Sequence, residues 1–198
     1  MLPSSAAPHQ PGEDLHGTPM KRTTISALVA TLFLSVVSGG YHPAGAEPHE
    51  AQVSLLRDKE FADKLLASIR NAHRSIVCSY YLFVVHKKNM SGHVVDELIR
   101  ARRRGVDVRV ILEKTRHKDR LNEENLHTAA LLARGGVKVF FDSPDVVTHL
   151  KVTVIDGRYV IMGSHNLTQA ALHHNNELSV VVDSPGLASE VLSYLNQL

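Results

Sequence analysis

The residues whose types and spacing suit chemistry fall in one window of 18 residues, from His149 to Asn166, which reads His-x-Lys-(x)4-Asp-(x)6-Gly-Ser-x-Asn. His149 and Lys151 are two apart, so on a strand they project from the same face. Asp156-Gly157 separates two apolar runs, Leu150–Ile155 and Arg158–Met162, and is a strong short hairpin signal. With a two-residue turn, Ile155 faces Arg158, and counting back sets His149 opposite Ser164. Directly opposed residues share a face, so the hairpin is expected to gather an imidazole, an ammonium, a hydroxyl and, two residues on, the Asn166 amide. A one-residue slip in register would break that cluster.

Such a set suits a phosphodiester. Lys151 supplies a positive charge, and Ser164 and Asn166 supply neutral donors for the non-bridging oxygens as charge builds. Neutral imidazole is a nucleophile available near pH 7, so His149 is the group that would attack phosphorus. Any one of these residues alone reads as an incidental polar group at a strand end; six specified positions in one window do not.

The elements that must position this window alternate from Glu50 onward. Gln52–Leu56 reads as a short strand, and Phe61, Leu65, Leu66 and Ile69 form one apolar helical stripe. Ser75–Val85 is β-branched and aromatic and reads as a buried strand. Val94, Val95, Leu98 and Ile99 repeat the helical spacing as far as Gly105, before a strand at Val106–Leu112. A helix at Glu123–Ala133 is stopped by Gly135-Gly136, and Val137–Phe141, the hairpin, a strand at Leu178–Val182 and a closing helix through Leu187–Leu195 complete the chain. The order predicts an α/β fold of one domain, a mixed β-sheet flanked by helices.

Composition narrows the function classes. The 198 residues are 43% hydrophobic and 21% charged, an ordinary globular balance that excludes wholesale disorder. A single cysteine excludes an intrachain disulfide framework and any Cys-based metal cage, and Cys78 in its apolar strand reads as a buried small hydrophobe. The 13 histidines include no His-Glu-x-x-His, and His173-His174 point to different faces, so a metal site is not expected. Net charge is +2 overall, but Arg100–Arg120 holds nine Lys/Arg against three acids, a net of +6. Arg102, Arg103 and Arg104, with Lys87 and Lys88, are candidate nucleic-acid contacts; the alternative is the solvated end of a helix, where cations are favoured.

The N-terminus is read as processed. Met20, Lys21-Arg22, an apolar run of about 13 residues from Ile25 to Val37 and Ala44-Gly45-Ala46 have the order of a secretory signal peptide. The run is short of the ~18–20 residues that span a bilayer. Residues 1–19 are read as an upstream extension, 20–46 as the signal and 47–198 as the exported domain, periplasmic or secreted. The alternative is an uncleaved N-terminal anchor.

The motif resembles the signature of the phospholipase D superfamily, with each specified position present: His149, Lys151, Asp156, Gly163, Ser164 and Asn166. Asn176-Glu177 followed by an apolar strand is similar to that superfamily's downstream element, whose acid orients the histidine. The chain from residue 47 onward resembles the small, single-motif bacterial endonucleases of the superfamily in size and strand order. The resemblance implies a sandwich of the phospholipase D and nuclease type. It also implies a two-step displacement without metal or cofactor, through a phosphohistidine at His149. Lys151, Ser164 and Asn166 would hold the phosphate, Glu177 would assist, and Asp156 would have a structural or ion-pairing part. A second motif histidine is needed as acid and base, so the single motif implies a homodimer; no stable partner protein is implied. The expected substrate is nucleic acid. The alternatives are a lipid phosphodiesterase acting on phosphatidylcholine-like lipids, and a catalytically silent binding module for nucleic acid or membrane.

Overall fold

A computed structural model describes residues 48–86, 89–117 and 119–198. The signal peptide, the upstream extension, Lys87 and Lys88 lie outside the described residues. In chain order the elements are β1 (Gln52–Arg57), α1 (Lys59–Arg70), β2 (Ser75–Tyr80), α2 (Met90–Arg103), β3 (Asp107–Leu112) and α3 (Arg120–Arg134), followed by β4 (Lys138–Phe141), β5 (Lys151–Ile155), β6 (Tyr159–Gly163), α4 (Gln169–His173), β7 (Leu178–Asp183) and α5 (Pro185–Leu195). The strands form one sheet of seven in the order β1-β7-β6-β5-β2-β3-β4. β2, β3 and β4 run parallel, and every other pairing is antiparallel, so the sheet is mixed as predicted.

Both faces of the central strands are covered. Ile76, Cys78 and Tyr80 of β2 and Val108, Val110 and Leu112 of β3 pack with Phe61, Leu65 and Ile69 of α1, Leu98 of α2 and Leu132 of α3. The opposite face, with Val77, Val152, Val154, Val160 and Val182, packs under Ala188 and Leu195 of α5. Cys78 lies inside, and burial pushes its thiol up to about 12, so it is the inert small hydrophobe its strand implied. Side chains cap four helices by accepting a backbone N–H: Asn89 for α2, Asp119 for α3, Thr168 for α4 and Ser184 for α5.

The register fixes which residues meet at each end of the sheet. Tyr80 pairs with Leu112 on one side and Lys151 on the other, while Ser75 pairs with Asp107 and Ile76 with Ile155. The sheet therefore has a Lys151 end and a Ser75 end.

Three expectations are corrected. The strand expected over Ser75–Val85 stops at Tyr80. Beyond it the backbone leaves the ladder and finds other partners: Tyr81 N–H bonds Leu150 O at 2.8 Å, Phe83 N–H bonds Asn125 Oδ1 at 2.9 Å and Val84 N–H bonds Leu167 O at 2.9 Å. Phe83 remains buried, so hydropathy could not tell this loop from a strand. Second, α4 has five residues, too few to show a period, and was not expected. Third, the hairpin register differs by one. Asp156 and Gly157 both have positive φ, as an Asp-Gly turn requires, and Arg158 N–H bonds Ile155 O. The ladder nevertheless resumes with Ile155 opposite Tyr159 and Val152 opposite Met162. Arg158 is an extra residue, like a bulge, and its guanidinium makes a two-point contact with Asp183 on β7 at 2.6 and 2.8 Å. One step further along the ladder, Lys151 comes level with Gly163 rather than with Met162. A Cβ on Gly163 would lie 2.2 Å from Ser179 Oγ and 2.5 Å from Leu178 O, which leaves glycine the fitting residue.

Asp156 secures the turn. Its Oδ1 accepts from Arg74 N at 2.7 Å and Ser75 N at 2.9 Å, its Oδ2 accepts from His73 N at 3.0 Å, and the Arg74 guanidinium bonds its carbonyl. Burial pushes the carboxyl up, but these three N–H donors and Arg74 prevail and hold it below the usual carboxylate range. A depressed folded pKa means stability is in full force above the unfolded value near ~3.9 and is lost as pH falls through the folded one. Asp156→Ala is expected to lower unfolding free energy by about 1–3 kcal/mol at neutral pH, by leaving N–H groups unpaired. The difference from wild type should shrink in urea titrations towards pH 3. A variant as stable as wild type at pH 7 would remove the anchoring role.

Candidate active site

His149 and Lys151 stand together at the Lys151 end. Lys151 is only 9% exposed. Its Nζ lies 2.9 Å from His149 Nδ1, 3.0 Å from Nε2 and 3.0 Å from the His149 carbonyl oxygen. The Tyr81 ring stands edge-on to the imidazole with centroids 4.4 Å apart, and the ammonium is 5.3 Å from the same ring's centroid. Burial holds the Lys151 pKa below the usual lysine range, while the nearby Glu177 carboxylate opposes that shift.

Glu177, just before β7, forms a second group. Ser164 Oγ donates to its Oε2, Asn175 Nδ2 donates to Oε1 at 3.0 Å, and Leu178 N–H bonds Ser164 Oγ at 3.1 Å. Burial pushes Glu177 up, but Ser164, Asn175, His165 and Lys151 together hold it below the usual carboxylate range. Its oxygens are thus engaged by Ser164 and Asn175, and the Glu177–His149 bond that the resemblance implied is not formed within one chain. The Ser164 hydroxyl hydrogen is likewise spent on Glu177 rather than free for an anion. Asn166, three residues beyond β6, has a buried Oδ1 with no hydrogen-bond partner among the described residues.

Sequence reasoning missed the layer beneath. His165 is buried in the variable position of the motif, stacked on Phe61 at 4.2 Å. Its Nε2 lies 3.0 Å from the Asp58 carbonyl, which can only accept, so Nε2 carries the proton and Nδ1 accepts from Ser179 Oγ at 2.7 Å. Asp58 has φ +46 and bonds Glu177 twice, N to O at 3.0 Å and Oδ1 from N at 2.9 Å. That engagement is why α1 starts without a side-chain cap. Tyr81 was readable only as part of an apolar run, and nothing in the local sequence marked Asp58.

Other candidates lie elsewhere. Asp156 sits at the Ser75 end, about 17 Å from Lys151 at ~3.4 Å per strand residue, and does not meet His149. The run at the end of α2 leads into Asp107, so it too borders the Ser75 end, opposite the end carrying His149. Arg102 bonds Gly136 O in the loop before β4 at 2.9 Å and Arg104 bonds Ile69 O in the last turn of α1 at 2.9 Å; Arg103 is exposed on the same helix end. Of the basic segment, Lys114 and Arg116 follow β3 at the Lys151 end. Among the described residues, no three His, Cys, Asp or Glu converge in a group that could hold a metal ion.

The arrangement is an imidazole with an ammonium against it, set at a sheet end beside a hydrogen-bonded carboxylate. Comparison with known proteins connects it to a family. Residues 65–198 match the family described as cardiolipin synthase, PLD-like domain. Phospholipase D of Rickettsia conorii is 34% identical over 105 residues, 52% of this chain and 50% of that protein. Cardiolipin synthase A of Proteus mirabilis is 28% identical over 127 residues, 64% of this chain and 25% of that one. The chain spans about half the length of the first of these relatives. Among solved structures, Nuc from Salmonella typhimurium, a phospholipase D family member, superposes with a TM-score of 0.63 at 27% identity, over 75% of this chain and 93% of that one. NucT from Helicobacter pylori shares the fold, with a TM-score of 0.61 at 20% identity, over 75% and 95% of the two chains. With its motif intact on the β5–β6 hairpin and a match running from Leu65 to the last residue, the chain belongs to the PLD-like domain family of the phospholipase D superfamily.

Proposed function

We propose that this protein is an exported phosphodiesterase that cleaves nucleic acid without base preference, using His149 as nucleophile in a homodimeric site. The observation that carries the reading is the placement of His149 against Lys151 at the end of a one-motif domain that spans 93% of Salmonella Nuc. In the first step an imidazole nitrogen of His149 bonds to phosphorus and the P–O bond to the leaving group breaks. The imidazolium of a second copy's His149 gives its proton to the departing oxygen. In the second step water attacks phosphorus, that now neutral imidazole takes the water's proton, and the P–N bond breaks. Lys151 offsets the charge on the non-bridging oxygens.

A lipid reading has its own support. A cavity of about 470 Å³ opens on the α5 face, lined by Leu150, Val152, Met162, Leu187 and Val191. Leu150 lies between His149 and Lys151 with its side chain on the opposite face of the strand, so the cavity adjoins the same sheet end from the α5 side. The Rickettsia relatives named phospholipase D point the same way. One experiment separates the readings: purified protein in EDTA is offered plasmid DNA and phosphatidylcholine vesicles beside a His149→Ala control. DNA is expected to be cleaved faster, and His149→Ala to lose several orders of magnitude, because nucleophile and acid disappear together. Faster hydrolysis of vesicles would transfer the assignment to lipid. Inhibition by EDTA that a divalent ion reverses would remove the imidazole mechanism.

The dimer is supported by exposed apolar side chains at the rim of the site. Val146 is 74% and Val147 63% exposed, just before His149, and Leu178 is exposed beside Glu177. Sedimentation of the active species should give about twice the mass of the chain that begins at Glu47, and full activity in a stable monomer would exclude a two-chain site. Export rests on Lys21-Arg22, the apolar run and Ala44-Gly45-Ala46. N-terminal sequencing of the exported product should begin at Glu47, whereas a membrane-bound product that keeps residues 25–37 would establish the anchor.

A further inference from the structure

Two buried acids at the Lys151 end take no part in the chemistry above. Glu113 follows β3 and is 1% exposed; Asp142 follows β4 and is 5% exposed. Glu113 Oε2 accepts the Thr148 N–H at 2.6 Å, and Asp142 Oδ1 accepts the Lys114 N–H at 2.9 Å. The remaining Asp142 oxygen, Oδ2, is buried with no donor among the described residues. The Lys114 amide, next in the chain to Glu113, holds the Asp142 carboxyl beside it, and that neighbour favours the protonated form of Glu113. A hydrogen bond between two carboxyls needs one proton, and that proton satisfies Asp142 Oδ2 as well.

The backbone held by this pair is the one that delivers the nucleophile. Thr148 precedes His149, and Leu150, on its other side, accepts the Tyr81 N–H at 2.8 Å. Asn125 ties the two supports together, because its Nδ2 donates to both Tyr81 O and Glu113 O at 2.9 Å. His149 is therefore flanked by two backbone clamps joined by one buried amide.

We propose that Glu113 is a positioning residue for His149: it shares one proton with Asp142, and the pair grips the Thr148 amide and fixes the backbone from which the imidazole projects. As a step in catalysis this rests on the phosphodiesterase reading; as a clamp it does not. Burial, then the Asp142 carboxyl and the more distant Asp119, push Glu113 up to about 7, against the pull of the Thr148 amide. The groups that act on it are Asp142, just past β4, and Asp119, the N-cap of α3, while the neutral Asn125 amide of α3 bonds its backbone carbonyl. Loss of the shared proton above neutrality leaves two buried carboxylates in contact, and their repulsion opposes the stronger bond that a carboxylate makes to the Thr148 amide, so that amide senses the step.

The test uses the purified chain, a small bis-aryl phosphodiester and NMR of the Thr148 amide and the His149 ring. Glu113→Ala is expected to lower kcat about 10- to 100-fold with little change in KM and to shift the His149 ring signals, as a misplaced nucleophile does. Glu113→Gln should recover most of that kcat, since its carbonyl still accepts from Thr148 and its amide donates to Asp142. In wild type the Thr148 amide should titrate near pH 7, and in Glu113→Gln that step should vanish. A Glu113→Ala variant with the wild-type kcat and His149 signals, or a Thr148 titration that persists in Glu113→Gln, would overturn the proposal. Should Glu113→Ala fail to fold, the Gln titration decides alone. If wild type hydrolyses no diester, the phosphodiesterase reading fails while the Thr148 and His149 signals still decide the clamp.

Discussion

Burial of the central strands on both faces is the constraint on which the rest of the molecule depends. β2, β3 and β5 have helices over one or both sides, and a polar side chain inside such a sheet must find a partner there or emerge at a strand end. Thr153 shows the first solution, bonding Tyr80 Oη at 3.0 Å within the core. Lys151 shows the second: as the first residue of β5 it keeps its stem inside while its ammonium reaches the sheet end. The parallel strands β2, β3 and β4 all finish at that end, so the loops after them, with Tyr81, Glu113 and Asp142, are delivered to the same place. Chemistry collects there because the sheet leaves no other position for it.

The hairpin carries this constraint along its length. Asp156 grips the amides of His73, Arg74 and Ser75 at one end, and β5 lies between β2 and β6 in a ladder whose side chains alternate with a period of two. Anchoring the turn thereby sets which face Lys151 takes at the far end. The aspartate of the motif thus acts on the site through register, at about a strand's length from the imidazole.

Much of this was legible in the sequence, for reasons that differ from residue to residue. His149 and Lys151 were readable as a pair because a period of two holds for any strand. Their relation to Ser164 was not, because it passes through the turn, and the extra residue at Arg158 depends on its ion pair with Asp183, 25 positions away. Ser75–Val85 read as one strand because hydropathy reports burial, and Phe83 is buried by a loop whose hydrogen bonds come from Asn125 and Leu167. Arg102 and Arg104 were visible as charge, but helix direction decided their end of the sheet. Asp58 and His165 had no local mark, since what matters is a carbonyl, a φ angle and a stacked ring brought in from α1.

The contact between Lys151 and His149 places a further demand on the chemistry. An imidazole nitrogen that accepts a proton from the ammonium has its lone pair occupied, and a nucleophile needs that lone pair. Nζ lies within 3.0 Å of both ring nitrogens, so in this geometry the ammonium competes with any electrophile for the ring. On the phosphodiesterase reading proposed above, a bound phosphodiester would resolve the competition, because its anionic oxygens are better acceptors for a partly desolvated ammonium than a neutral ring is. With Nζ on the phosphate, the ring nitrogen would be free to face phosphorus. Tyr81 and the backbone bonds on either side of His149 hold the ring independently of Lys151. On that reading the cation would have two effects at once, neutralising the substrate and uncovering the nucleophile.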